Sequence, residues 1–127
     1  HCTALGKVFL AYIAPQKLET FLDSYHLSVH TANTITSRMG LLEELKLVRK
    51  QGFAIDNEEL SLGLRCVAVP VFDYSGQIAA AISLSAAAVR LNDEIQARIL
   101  SALITACRDL TRNLGFEGEK GVCLDAG

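Results

Sequence analysis

Two serines spaced two apart, an aspartate in an acidic run and a cysteine among valines are the residues of this chain best placed to do chemistry. Ser83 and Ser85 close the run Gln77 to Ala86, in which Ala79, Ala81, Ser83 and Ser85 alternate with Ile78, Ala80, Ile82 and Leu84. Alternation of this kind puts the small residues and both hydroxyls on one strand face and the bulky aliphatics on the other. A small-residue face flanked by hydroxyls leaves room for a ligand above a sheet, and such sites are apolar with a few placed polar groups. Asp56 begins the polar run Asp56-Asn57-Glu58-Glu59 between apolar segments, and Cys66 lies in the strand-like run Leu64 to Phe72. A third polar feature is the helix start at Thr3. With Thr3 as N-cap, the backbone N–H groups of Ala4, Leu5 and Gly6 fall in the first turn without intrahelical partners, where the dipole favours an anion.

Other chemistries for these residues are weaker. A zinc site from His1, Asp56 and Cys66 has no established structural-zinc spacing behind it. Catalysis by a Cys66 thiolate needs a positioned base and an oxyanion site, yet His26 and His30 sit in a polar linker with nothing tying them to Cys66. The chain is therefore read as not an enzyme. Oxidation of a pocket thiol, a redox switch at Cys66, is kept as the alternative. A purely structural dimerisation module leaves Asp56 and the two serines unexplained.

The elements that must position these groups are legible. Leu64 to Phe72 and Gln77 to Ala86 are strands joined by Asp73-Tyr74-Ser75-Gly76, a hairpin signal. In the first of them Leu64, Cys66, Ala68 and Phe72 share one face and Val67, Val69 and Val71 the other. Neither strand has a solvated face, so the sheet is expected to be covered on both sides. Pro70 points to an edge or a bulge. Phe53-Ala54-Ile55 is a short strand that the acidic run should break as a loop, with Glu58 or Glu59 pairing to Arg65.

Three helices precede this sheet and one follows. The first starts at Thr3, where Gly6 signals a close approach of backbone or ligand. Pro15 ends it and opens the second, with Leu18, Phe21, Leu22 and Tyr25 at helical spacing. The third is capped by Thr36 or Ser37, buries Leu41, Leu42, Leu45 and Val48, and stops at Gly52. Asn92 caps the last, whose apolar stripe reads Ile95, Ile99, Ala102, Leu103, Ala106 and Leu110.

With 127 residues, half of them hydrophobic, a fifth charged and a net charge of −2, the chain reads as one globular domain. The charge argues against a nucleic-acid surface on this segment. No apolar run is long enough to span a membrane. Its cysteines, Cys2, Cys66, Cys107 and Cys123, lack paired spacing and read as reduced thiols of a cytoplasmic protein. The chain begins His1-Cys2-Thr3 and reads as a piece of something longer. Residues 1–116 form the domain and 117–127 a flexible tail.

The segments H-C-T-A-L-G-K (His1 to Lys7), F-A-I-D-N-E-E (Phe53 to Glu59), G-L-R-C-V-A-V-P-V-F-D (Gly63 to Asp73) and S-L-S (Ser83 to Ser85) together resemble the effector-binding domain of IclR-type bacterial transcription regulators. The resemblance runs from His1 to about Gly115. It implies an α+β, GAF-like (profilin-like) fold, a curved antiparallel sheet with helices on both faces, whose amino-terminal part is missing here. It also implies a sensor of a small carboxylate metabolite, a homodimer or homotetramer that meets operator DNA through a winged helix-turn-helix outside this chain. Carried over by position, the pocket falls on Ala4, Leu5, Asp56, Leu64, Cys66, Ser83 and Ser85, with no metal and no cofactor.

Overall fold

The computed structural model describes residues 1–118. The expected tail from 117 onward lies, from residue 119, outside the described residues. In chain order the elements are α1 (Ala4–Tyr12), α2 (Pro15–Ser24), α3 (Arg38–Gln51), β1 (Ala54–Asn57), β2 (Leu64–Phe72), β3 (Ile78–Ala87) and α4 (Asp93–Asn113).

The caps sit where local chemistry puts them. Thr3, Ser37 and Asn92 each accept from a backbone N–H three residues on, at Gly6, Gly40 and Ile95. Gly52 closes α3 in the left-handed region at φ 80°. Gly6 carries no side chain because a Cβ there would stand 2.8 Å from the Thr3 hydroxyl that caps its own N–H. The close approach expected at Gly6 is thus made by the cap.

The three strands form one antiparallel sheet in the order β1-β2-β3. α1 lies over one face, with α3 behind it, and α4 lies over the other. Val8, Ala11, Leu41, Leu45 and Val48 join Ala54, Cys66 and Ala68 in the first core. Val69 and Val71 join Ile104 and Cys107 in the second. β1 pairs with β2 only as far as Ala68, so Pro70 lies where β2 has one neighbour, and a bulge follows between Val71 and Phe72. Both circumstances suit a residue with no N–H. The bulge also moves Ile78 off the face of Ile82 and into the α1-side core.

Several expectations need correction. Coverage of the sheet is uneven: β2 is buried from Cys66 to Phe72, but Ala79, Ala80, Ser85 and Ala87 of the terminal strand β3 are exposed. Asp56 and Asn57 do not break the strand. They continue β1, because Asp56 finds a cross-strand neighbour in Cys66 and the chain turns only afterwards. Arg65 pairs with neither Glu58 nor Glu59. It donates to the Leu91 carbonyl and approaches Asp93, while Glu58 accepts from the Gly63 N–H and Glu59 meets Lys7.

On α4 the sheet takes a different flank from the one the apolar stripe suggests. Leu100, Leu103, Ile104, Cys107 and Thr111 face inward, while Ile95 stays 38% and Leu110 42% exposed, with Ala102 and Ala106 exposed between them. The inward flank carries partners for the sheet backbone. The Thr111 hydroxyl accepts from the Phe72 N–H at 3.1 Å, and the Cys107 thiol lies 3.7 Å from the Val69 carbonyl oxygen. An N–H beside a bulge that would otherwise be buried unpaired is a stronger constraint than one aliphatic flank against another.

Candidate functional site

Strand register assembles the site. Asp56 of β1 stands opposite Cys66 of β2, which stands opposite Ser85 of β3; one step along, Ala54, Ala68 and Ser83 form a parallel row. Because alternate residues share a face, both rows lie on the side covered by α1. Acceptor, thiol and hydroxyl are thereby strung across three strands, Asp56 and Cys66 buried and Ser85 exposed at the open edge, with small side chains beside them.

Each member has a defined environment. The Ser85 hydroxyl donates to the Cys66 sulfur at 3.0 Å. Burial pushes the Cys66 thiol up, only partly offset by the Ser85 hydroxyl, and Asp56 adds to the rise, so the group is a neutral thiol at physiological pH. Asp56 is 1% exposed. Its Oδ1 accepts from the Glu59 N–H at 2.7 Å, while its Oδ2 is buried with no hydrogen-bond partner among the described residues. The neutral Cys66 thiol beside it is a weak donor, so this buried carboxylate is under-satisfied and suits a stronger one.

The remaining candidates divide. Ala4 is buried at the head of α1 beside the Thr3 cap, and Leu64 packs half-buried against the α1-side core. Leu5 turns its side chain outward, 37% exposed, which leaves its backbone N–H as the only candidate donor at this position. Ser83 is half-buried opposite Ala68. The zinc alternative does not assemble: among the described residues no three His, Cys, Asp or Glu side chains come together as a metal site. His1 Nε2 instead donates to the Ser28 carbonyl at 3.1 Å, and the ring packs edge-on to Tyr25.

One residue at this site was not singled out from the sequence. Lys7 is 0% exposed, and its ammonium donates to Glu44 at 2.8 Å, to the Ile55 carbonyl at 2.5 Å and to Glu59 at 2.7 Å. Glu59 is raised above the usual carboxylate range by burial, which the Lys7 ammonium opposes. The signal available was an isolated lysine on a helix with no other charged residue, one turn after the cap.

A family described as bacterial transcriptional regulator IclR, C-terminal, matches residues 1–112 of the chain. The HTH-type transcriptional regulator XynR of Escherichia coli is 39% identical over 116 residues, covering 91% of this chain and 46% of that protein. The chain therefore spans less than half the length of that relative. The crystal structure of Thermotoga maritima IclR superposes with a TM-score of 0.84 at 36% identity, over 91% of this chain and 47% of that one. The inducer-binding domain of PobR from Acinetobacter, a double mutant in complex with 3-hydroxybenzoic acid, superposes with a TM-score of 0.81 at 28% identity, over 87% of this chain and 64% of that one.

Proposed function

This chain belongs to the IclR C-terminal family of bacterial transcriptional regulators, and we propose that its α1-side site binds a small organic acid whose arrival changes the regulator's hold on operator DNA. The relatives are transcription regulators rather than enzymes. One observation carries the reading: an Asp56 oxygen buried without a hydrogen-bond partner among the described residues, in line with Cys66 and Ser85 on the α1 side of the sheet.

The chemistry of the site suits an acid bearing a hydroxyl. The N–H groups of Ala4 and Leu5 and the hydroxyls of Ser83 and Ser85 donate to a carboxylate, each such charge-assisted bond contributing roughly 1.5–3 kcal/mol. Ionised Asp56 only accepts, so it takes a ligand hydroxyl or a bridging water. Leu64 supplies apolar contact and Cys66 a small, weakly polar wall. The complex of PobR with a hydroxylated aromatic acid supports the ligand class.

Binding acts by population shift. The acid favours whichever arrangement of a homodimer or homotetramer it binds better, and so repositions the winged helix-turn-helix portions that contact operator DNA in the cytoplasm. No helix among the described residues is long and apolar enough to cross a membrane. A redox or metal sensor at Cys66 fits less well, since its thiol is neutral and buried and no metal set gathers around it among the described residues.

The test is a thermal-shift screen of the intact protein against keto-, hydroxy- and aromatic acids, with peroxide and zinc as controls. A ligand at 100 times its dissociation constant adds about 2.7 kcal/mol. A rise with one acid class, absent in the Ser83→Ala/Ser85→Ala variant, is the expected result. A response to peroxide or zinc alone would move the assignment to Cys66.

A further inference from the structure

We propose that Lys7 is a positioning residue of the effector site: its buried ammonium clamps the segment Asp56–Glu59 and so aims the free oxygen of Asp56 at the ligand. The proposal rests on the effector reading above and extends it to a residue that does not touch the ligand.

The clamp draws on three elements. Lys7 belongs to α1, and its three partners are Glu44 of α3, the Ile55 carbonyl of β1, and Glu59 just after β1. All three hydrogens of the ammonium are thereby used. Taking an ammonium out of water is expensive, and an apolar side chain of the same size would fill the space without that penalty. Packing alone gives no reason for a charge here; holding the Asp56–Glu59 segment does.

That segment needs holding. Glu58 has φ 58°, the left-handed region that a side chain bearing a Cβ rarely enters. The strained turn is fastened from several sides. The Thr31 hydroxyl donates to the Glu58 carbonyl at 2.6 Å and the Thr34 hydroxyl to the Glu59 carbonyl at 2.6 Å. Lys7 takes the Glu59 carboxylate, and the Glu59 N–H takes Asp56 Oδ1. Among the described residues Asp56 is left with one oxygen fixed and the other without a strong donor, only the neutral Cys66 thiol standing beside the carboxylate, on the face it shares with Cys66 and Ser85. An acceptor held in place without a strong donor discriminates: a ligand hydroxyl satisfies it, and an analogue lacking the hydroxyl does not. Lys7 accordingly governs the preference for hydroxylated acids more than the affinity for acids in general.

The experiment replaces the clamp by apolar groups, Lys7→Met with Glu59→Met, in the intact protein. Two quantities are read: hydrogen exchange at the residue-59 amide, and the ratio of affinities for glycerate and propionate, three-carbon acids with and without hydroxyls. The expected result is a folded protein whose residue-59 amide exchanges at least about tenfold faster than in the parent, while α4 amides are unchanged, and whose preference for glycerate falls about tenfold. An amide still protected, or an unchanged preference, would overturn the proposal. Should the double replacement not fold, Glu59→Ala, which leaves Lys7 its Glu44 and Ile55 partners, is read by the same two measurements and the same criteria.

Asp56→Asn separates the two claims. If it leaves the glycerate preference intact, the effector role of Asp56 fails. If it abolishes the preference and the clamp variant does not, the Lys7 proposal alone fails. If the parent binds neither acid, the reading fails for this acid class, and the amide exchange alone decides whether Lys7 holds the segment.

Discussion

The Ser85 hydroxyl donates to the Cys66 sulfur across 3.0 Å, joining the terminal strand β3 to the central strand β2 at the proposed ligand position. A carboxylate arriving there competes for that hydroxyl, and a charge-assisted bond is about twice as strong as one to a neutral acceptor. The contact is therefore a resting arrangement that a ligand can replace without moving backbone.

Ser85→Ala removes a bond of ordinary strength between an exposed serine and a buried thiol. Stability should fall by about 0.5–1.5 kcal/mol in urea unfolding, while acid affinity falls at least about tenfold by calorimetry. Unchanged affinity with reduced stability would make Ser85 a sheet residue only.

Asp56→Asn and Asp56→Ala should differ. The amide oxygen of asparagine still accepts from the Glu59 N–H, so the turn survives, whereas alanine strands that N–H and costs about 1–3 kcal/mol. Equal thermal midpoints for the two variants would show that the contact does not hold the turn.

Thr111→Val deletes the acceptor for the Phe72 N–H on the side of the sheet away from the site. The expected loss is about 1–3 kcal/mol with acid binding intact. A variant as stable as the parent would mean that the N–H beside the bulge finds another acceptor.

Alkaline pH should destabilise the fold through Cys107, whose thiol burial pushes up from 9.0 to about 11. The folded value lies above the unfolded one, so this thiol's contribution is fully present below pH 9 and is lost as pH rises toward 11. The loss over the whole window is up to about 2.7 kcal/mol. Cys107→Ala, compared with the parent by unfolding between pH 8 and 11, should flatten the slope; the same slope in both would place its origin elsewhere.

Short-range chemistry is legible in the order of the residues. Thr3, Ser37 and Asn92 cap the helices they precede, and Gly52 ends α3. Asp73 through Gly76 turn the hairpin, and the alternation around Cys66 and Ser83 foretold which residues share the α1 face. These signals are legible because each depends on neighbours a few residues away. Other features depend on groups far apart in the chain and emerge only on folding. Asp56 extends a strand because Cys66 lies opposite it; α4 turns Thr111 inward because the bulge at Phe72 leaves an N–H to satisfy; Lys7 is buried because Glu44 and Glu59 arrive from elements 37 and 52 residues away. A buried charge or an unpaired N–H is acceptable only once its partner is in place, and the partner's position is a property of the fold.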